Sequence, residues 1–313
     1  MDTLTVVNST TELIEVQEIN AGLFERWIKY IDAKPKTVET YTRAIRQFFY
    51  YLQANNIEQP QRADIIAYRE SLIQNRKPTT VQAYIMAVKQ FFKWTAQEGL
   101  YPNIADNIKG VKLDAGFKKD YLTSKQVSKL LNTIDRTSLK GKRDYAILSL
   151  MVTTGLRTIE VERANIEDLR TVADFTALYI QGKGHTERTD YVKVPAQVED
   201  AIRAYLTARG KVEDKQPLFT SIAHRNGGER MTTRSISRIA KDNMIDADLN
   251  SSRLTAHSLR HTTATLNLLN GGTPQETMQL LRHSNINTTL IYSHALERAA
   301  NNSEERVASA IFG

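Results

Sequence analysis

The chain has 313 residues, a hydrophobic fraction of 41%, a formal net charge of +7 and no cysteine. This length is enough for two domains or one large one, and the absence of cysteine excludes disulfides, thiolate zinc sites and cysteine nucleophiles. The basic balance favours a polyanionic partner, most often nucleic acid. No run of about 18 apolar residues occurs, so no membrane span is expected. The N-terminus has no basic stretch ahead of an apolar one, so no signal peptide is expected.

A helical bundle is predicted for residues 19–106, after a flexible N-terminal arm at residues 1–18. Apolar side chains recur at three- and four-residue steps around Tyr41 and again around Tyr84, which is the pattern of a helix with one buried face. With a shorter helix between them and a first one near 22–31, the bundle has about four helices. The segment 75–78 is expected to be a turn, Thr79 or Thr80 to cap the next helix, and Gly99 to end it.

The second predicted region is mostly helical. A linker without periodicity is expected at 107–119, and Thr123 with Gln126 has the spacing of a capping box near the start of residues 120–295. A mostly apolar helix is expected to end at Gly155. Two β-prone stretches, 175–181 and 188–194, flank a basic, Gly-rich turn and predict an antiparallel hairpin. The fold class is therefore mainly α, with an N-terminal helical bundle and a mostly helical second domain that carries a small antiparallel sheet.

One predicted helix, HSLRHTTATLNLLNGG, carries two histidines and an arginine at helical spacing. His257 and His261 have the i, i+4 spacing of a metal-binding helix, but the glutamate of the HExxH motif is missing and no acidic third ligand is near. No metal site is therefore expected. His257 and Arg260 share a helix face, so they are suited to present two donors to one anion.

Two further basic residues leave alternatives open when each is considered by itself. Arg157 follows Gly155 at a break between helices, so it either projects into a cleft or forms a surface salt bridge with Glu160 or Glu162. Lys183 lies in the predicted hairpin turn, where it either reaches outward to a ligand or is simply solvated.

Taken in chain order, TGLRTIEV, the GKG of the hairpin, HSLRH and LRHSNINTTLIYSH resemble the tyrosine recombinase (phage integrase) family, and in particular its short two-domain, Xer-like members. TVETYTRAIRQFFYYL and TTVQAYIMAVKQFFKW resemble the two DNA-facing helices of the family's core-binding domain. One departure is visible: the family usually has glycine before the last histidine, where this chain has Arg282. The positions that match the family's catalytic signature are Arg157, Lys183, His257, Arg260, His283 and Tyr292.

The resemblance implies the fold of DNA breaking-rejoining enzymes and a mechanism in which a tyrosine attacks a backbone phosphate. Arg157 and Arg260 would stabilise the charge that develops on the phosphate, since a guanidinium is a planar donor that keeps its proton. His257 would donate to the same phosphate and exchange a proton with the tyrosine, because imidazole titrates near neutral pH. Glu160 matches an acidic position of the family and is expected to orient the site.

The remaining catalytic positions complete the implied reaction. Lys183 would be the general acid for the departing 5′ oxygen, and His283 would hold the phosphate or orient the site. Tyr292, activated by the surrounding positive charge, would form a 3′-phosphotyrosyl intermediate. Because this intermediate conserves the bond energy, the reaction would need neither ATP, nor a metal, nor another cofactor. His185, His224, His261 and His294 are expected to be ordinary structural or surface residues.

The partners follow from the same resemblance. The expected substrate is double-stranded DNA with paired inverted half-sites. It would be bound by a homotetramer that exchanges strands through a Holliday junction, and the need for accessory proteins is left open. The expected location is the bacterial cytoplasm, at the nucleoid. The tail, residues 296–313, carries Val307, Ile311 and Phe312 and is expected to dock on a neighbouring protomer. The candidate phosphate contacts of the first domain, each of which is otherwise part of an ordinary solvated helix face, are Arg43, Lys77, Thr79 and Lys89.

Two other functions are considered beside recombination. A non-catalytic relative would occupy DNA sites or block recombination, and the complete catalytic signature argues against it. A strand relaxase that resembles type IB topoisomerases would act as a monomer, and the two-domain layout and the tail argue against that.

Overall fold

A computed structural model describes residues 21–112, 120–182 and 187–313 of the chain. The residues form two compact units that divide between residues 115 and 116. The fold is mainly α-helical, with a three-stranded antiparallel sheet, which confirms the predicted fold class. Lys183 and His185 lie outside the described residues. Within the described ranges, no helix has both the length and the apolar character needed to cross a bilayer.

The first unit is a bundle of helices. The expected turn at 75–78 is confirmed, but the expected threonine cap is wrong: Lys77 precedes the last helix without a side-chain cap bond, and Thr79 and Thr80 lie inside it. The reason is Pro78, whose fixed φ and missing N–H suit the first helical position and so decide where the helix begins. The helices are α1 (Ala21–Tyr30), α2 (Pro35–Ala54), α3 (Arg62–Asn75) and α4 (Pro78–Gln97).

Aromatic rings fill the core of the first unit. Phe48 of α2 packs edge-on against Tyr68 of α3 and Phe92 of α4, with ring centroids 5.1 and 6.0 Å apart. Such rings bury a large apolar area, and the edge-on geometry adds a favourable electrostatic contact. Ile108 is buried in the same core, so the packing continues past residue 106, where the linker is expected to begin.

The second unit is also mostly helical. The predicted capping box at its start is confirmed, because Thr123 Oγ1 accepts from the Gln126 N–H and Gln126 Oε1 accepts from the Thr123 N–H at 2.9 Å. The helices are α5 (Ser124–Thr133), α6 (Leu139–Thr154), α7 (Thr158–Arg163), α8 (Ala196–Arg209), α9 (Thr233–Asp246), α10 (Ala256–Leu269), α11 (Pro274–Leu281), α12 (Asn287–Ala300) and α13 (Ser303–Phe312).

A small sheet follows α7. It has the order β1 (Leu169–Val172), β2 (Phe175–Ile180) and β3 (Asp190–Val194), with both pairings antiparallel. The predicted hairpin of β2 and β3 is confirmed, with Thr176 opposite Val194. The sequence does not predict β1, because this edge strand has no buried face and therefore no alternating apolar pattern.

The central helix α6 ends where the candidate site begins. Gly155 caps it in the left-handed conformation, with φ 64°, and the predicted end of the helix is confirmed. A Cβ at this position would lie 2.5 Å from Leu281 Cδ2. Glycine therefore allows the C-terminal ends of α6 and α11 to come close together.

Candidate active site

Arg157 directly precedes α7 as its N-cap residue, three residues after the end of α6. Its backbone N–H donates to Glu160 Oε2 at 2.7 Å, and its Nη1 donates to Glu160 Oε1 at 2.9 Å. The Glu160 side chain is 1% exposed and the Arg157 side chain 29%. Arg157 therefore combines the two alternatives that its sequence position leaves open: it forms an ion pair with Glu160, and it also lines a cavity.

Arg260 is held rigidly beneath the same cavity. The residue is 3% exposed, and its Nη1 and Nη2 donate to the carbonyl oxygens of Gly155 and Leu281. These carbonyls lie at the C-terminal ends of α6 and α11, where the helix dipole is negative and favours a cation. Burial, followed by the charges of Arg157 and Arg282, lowers the pKa of Arg260 to about 9. The guanidinium is therefore still protonated at neutral pH.

Arg157, His257 and Arg260 line one cavity of about 530 Å³, called the cation cavity below. Lys241 lies at the same wall, and its Nζ donates to the Ser251 carbonyl at 2.7 Å. Among the described residues that line this cavity there is no carboxylate. The arrangement suits an anion such as a phosphate, because several basic side chains line one space and the described residues of its wall add no opposing charge.

His283 lies in the turn after α11. Its Nδ1 is 2.8 Å from Thr289 Oγ1. Burial lowers its pKa to about 4, and the charges of Arg260, Arg157 and Arg282 add to this effect. At neutral pH the imidazole is therefore uncharged, so its contribution to the site is hydrogen bonding rather than charge.

Tyr292 lies on α12 and is 6% exposed. It packs with Ala264 and Leu281 in a small apolar cluster. Burial raises the pKa of its hydroxyl, while Arg260 and Arg157 act in the opposite direction. In this conformation the surrounding positive charge does not outweigh burial, contrary to the expectation of an activated phenol.

The hydroxyl of Tyr292 lies 2.6 Å from His261 Nδ1, and both residues line a second cavity of about 680 Å³. Burial, with the charges of His257 and Arg260, lowers the pKa of His261 to about 4, so the ring is neutral at pH 7 and able to accept the phenolic hydrogen. From the sequence, His261 is expected to be an ordinary residue. Its i, i+4 spacing from His257 is visible in the sequence and places the two rings 4.8 Å apart, but this spacing does not indicate the contact with Tyr292, which lies on another helix.

The candidate DNA contacts of the first unit are exposed or half-buried. Arg43 is exposed and donates to Glu39 at 2.8 Å. Lys77 and Thr79 are exposed at the start of α4, and Lys89 is half-buried further along it.

His224 is exposed, and His294 lies 3.4 Å from Glu297 on the exposed side of α12. Among the described residues, no group of three or more His, Cys, Asp or Glu side chains is placed to hold a metal ion.

Two family models match the chain. The one described as Phage integrase family matches residues 120–298, and the one described as Phage integrase, N-terminal SAM-like domain matches residues 23–100. The first therefore covers more than half of the chain.

Curated relatives match in sequence. Tyrosine recombinase XerC of Caldanaerobacter subterraneus subsp. tengcongensis is 38% identical over 177 residues, which are 56% of this chain and 47% of that protein. Tyrosine recombinase XerD of Staphylococcus epidermidis is 31% identical over 175 residues, which are 56% of this chain and 58% of that protein. The matches thus span about half the length of these relatives.

Solved structures match in fold. A XerH site-specific recombinase bound to palindromic difH substrate, in a post-cleavage complex, has a TM-score of 0.71 at 22% identity, over 91% of this chain and 85% of that one. A lambda integrase(75-356) dimer bound to a COC' core site has a TM-score of 0.66 at 17% identity, over 85% and 95% of the two chains. At these identities the likeness shows the fold.

Proposed function

Because this chain belongs to the phage integrase family, we propose that it is a tyrosine-type, site-specific DNA recombinase. The observation that carries the proposal is the cation cavity, which Arg157, His257 and Arg260 line and whose wall contains no carboxylate from the described part of the chain. Such a cavity suits the scissile phosphate of a DNA strand. The two named curated relatives are tyrosine recombinases, which supports the same reaction class.

The arginines and His257 bind the phosphate and stabilise its transition state. Negative charge grows on the non-bridging oxygens during the attack, so donors that are already fixed in place stabilise the transition state more than the ground state. Arg260 is fixed by two helix C-terminal carbonyls, and Arg157 by Glu160. The guanidinium of Arg260 keeps its proton at neutral pH, and both groups present planar donors to the phosphate oxygens.

Tyr292 is the nucleophile of the proposed reaction. Its oxygen attacks phosphorus, the bond between phosphorus and the 5′ oxygen breaks, and the products are a 3′-phosphotyrosyl bond and a free 5′ hydroxyl. The phenolic proton leaves through the neighbouring imidazoles, His261 at 2.6 Å and His257 in ring contact with it. Lys183 protonates the departing 5′ oxygen, an assignment that comes from the family signature.

The substrate we propose is double-stranded DNA with paired inverted half-sites. Four copies of the chain would assemble on it and exchange strands through a Holliday junction. The proposed location is the bacterial cytoplasm, at the nucleoid. A structural neighbour supports the assembly, since it is a lambda integrase tetramer bound to a Holliday junction. Val307, Ile311 and Phe312 on α13 are 58, 66 and 86% exposed. An apolar stripe of this kind suits docking on a neighbouring protomer.

The domain organisation we propose has five parts, of which the first is the N-terminal arm at residues 1–18. Residues 19–106 bind the core DNA site through contacts that include Arg43, Lys77, Thr79 and Lys89. Residues 107–119 link them to residues 120–295, which carry the chemistry, and residues 296–313 dock in trans.

The proposal is tested with a nicked duplex that traps the covalent intermediate. The chain's own site is first selected from random DNA by binding to the full-length protein. Wild type is expected to form a protease-sensitive DNA adduct on this duplex. Tyr292→Phe should bind the site but form no adduct, while Tyr191→Phe, which removes an exposed hydroxyl on β3, should react like wild type.

The alternatives predict different results. Tight binding of the selected site without any adduct would favour the non-catalytic alternative. Relaxation of supercoiled DNA that lacks the site, by a monomer, would favour the topoisomerase-like alternative. An adduct that forms equally with Tyr292→Phe would contradict the assigned nucleophile.

A further inference from the structure

Arg282 ends α11 in a backbone conformation that favours glycine. Its φ and ψ are 53° and 50°. Its N–H bonds to the Gln279 carbonyl at 3.0 Å, and the His283 N–H bonds to the Met278 carbonyl at 3.0 Å. These two bonds form the Schellman cap of a helix. A side chain in this conformation raises the conformational energy, because Cβ crowds the backbone carbonyl. The cap thus requires a left-handed residue, and its two backbone hydrogen bonds do not depend on the arginine side chain.

The guanidinium of Arg282 is buried against the candidate site. Its side chain is 11% exposed, and its Nη2 donates to Glu160 Oε2 at 3.0 Å. Its Nη1 donates to the Leu280 carbonyl at 2.8 Å. The Nε–H is buried and has no hydrogen-bond partner among the described residues. Burying a cation and an unpaired donor both cost free energy, so local packing alone does not account for this side chain.

Glu160 is shared between two arginines. Its Oε1 accepts from Arg157 Nη1, and its Oε2 accepts from the Arg157 backbone and from Arg282 Nη2. With glycine in place of Arg282, one buried carboxylate would neutralise one guanidinium. With Arg282 present, a single carboxylate faces two guanidinium groups, and the cluster keeps a net positive charge beside the cation cavity.

Besides burial, the charge of Arg282 lowers the pKa values of other groups of the site. Burial and then Arg157 lower the pKa of Arg260, and Arg282 is the next contributor. His283 shows the same influence, after burial, Arg260 and Arg157. The backbone of the same cap also serves Arg260, since the Leu281 carbonyl accepts from its Nη2. The end of α11 thus acts on Arg260 through its backbone and on Glu160 through the Arg282 side chain.

We propose that Arg282 is a positioning residue of the candidate site. By taking part of the Glu160 carboxylate, it leaves the donors and the positive charge of Arg157 available for the scissile phosphate. This inference rests on the proposed recombinase activity and adds to it a residue outside the family signature.

Three substitutions separate the charge of Arg282 from its backbone role. Arg282→Gly keeps the left-handed cap and removes the side chain. Arg282→Met keeps an aliphatic chain without charge, and Arg282→Lys keeps the charge. Arg282→Gly is expected to fold with a thermal midpoint at or above that of wild type, because it relieves backbone crowding and removes a buried cation. That result would exclude misfolding as the cause of any loss of activity.

The rate of adduct formation on the nicked site is measured in a single turnover at saturating protein. Arg282→Gly and Arg282→Met are expected to slow it by about tenfold or more, the effect typical of a residue that holds another catalytic group in place. Arg282→Lys should recover part of the rate, and the Kd for the uncleaved site should change little in all three. Wild-type rates in Arg282→Gly, or equal losses in the Lys and Met variants, would overturn the proposal.

A second measurement needs no catalysis. Histidine titration by NMR in the free protein follows His283, whose pKa should rise in the Gly and Met variants because a nearby cation is removed, and stay close to wild type in the Lys variant. An unchanged pKa in the Gly and Met variants would overturn the sharing of charge. If wild type formed no adduct on its own site, the proposed activity would fail, and this titration would still decide whether Arg282 charges the cavity.

Discussion

The two units of the molecule hold their charges in opposite ways. In the described part of the first unit the buried polar set contains only Thr95, and ion pairs such as Arg43 with Glu39 lie on the surface. The second unit buries charged side chains, which include Arg143, Asp144, Glu160, Asp168 and Arg260. Burying a charge costs free energy unless it is compensated. The fold of the second unit therefore depends on how its buried charges are paired, whereas the fold of the first unit depends little on its surface charges.

Burial by itself does not mark the site within the second unit. Arg143 is 5% exposed, but its Nε and Nη2 donate to Asp144, so its charge is neutralised by its neighbour. Arg260 instead donates to two carbonyl oxygens and keeps its full charge beside the cation cavity. These two buried arginines therefore differ in their partners and surroundings: Arg260 is held by neutral groups next to the cation cavity, and Arg143 is paired with a carboxylate.

The largest expected effect comes from exchanging these two arginines for methionine. Arg260→Met and Arg143→Met should each lower the free energy of unfolding by about 2–4 kcal/mol, since both leave buried acceptors unpaired. Arg260→Met should also slow adduct formation by at least about a hundredfold, because it removes a donor to the transition state. Arg143→Met should react at nearly the wild-type rate when folded protein is saturating.

Urea unfolding followed by circular dichroism and a single-turnover adduct assay measure the two effects. If Arg143→Met lost as much activity as Arg260→Met at equal folded fraction, the distinction between the two buried arginines would be wrong.

The regular elements of the fold could be predicted from the sequence. The apolar stripes of α2 and α4, the Thr123 capping box and the end of α6 at Gly155 depend on local patterns, and the structure confirms them. The edge strand β1 lacks a buried face, and the start of α4 is decided by Pro78 rather than by a threonine. A local rule fails where a second rule applies to the same residues, as at the start of α4, or where the alternating apolar pattern is incomplete, as in β1.

The site could be predicted as a set of residue types but not as a set of contacts. The family signature identifies six candidates by their order: Arg157, Lys183, His257, Arg260, His283 and Tyr292. Of the five that the structure describes, three line one cavity. The contacts of Tyr292 with His261 and of Arg282 with Glu160 join positions 31 and 122 residues apart. Contacts at such separations depend on how helices pack, and no pattern within one helix reports them.

An intermediate effect is expected from pH, through two half-buried imidazoles of the second unit. The pKa values of His261 and His283 are each lowered to about 4 in the folded protein, against about 6.5 in the unfolded chain. Between these values the unfolded chain binds more protons, so stability is fully present above about pH 6.5 and is lost as pH falls toward 4. Each histidine should contribute on the order of 1–2 kcal/mol after allowance for solvent screening.

Urea titrations at pH 7 and pH 5 measure this loss. His261→Gln should reduce the pH dependence, because the unfolded variant has one fewer group to protonate, while the exposed His224→Gln should leave it unchanged. Equal pH dependence in wild type and His261→Gln would show that His261 does not titrate as the structure indicates.

The smallest effect is expected in the first unit, at the surface pair on α2. Arg43→Ala should leave the thermal midpoint nearly unchanged, because exposed ion pairs contribute little to stability. If Arg43 contacts a DNA phosphate, the slope of log K against log salt should fall in magnitude by about one. Glu39→Ala frees Arg43 from its carboxylate partner, so it should keep the wild-type slope and bind DNA slightly more tightly. Binding of the selected site by fluorescence anisotropy at several salt concentrations measures both variants. Equal slopes for Arg43→Ala and wild type would assign Arg43 to an ordinary solvated helix face, and the first unit would then bind DNA through other residues.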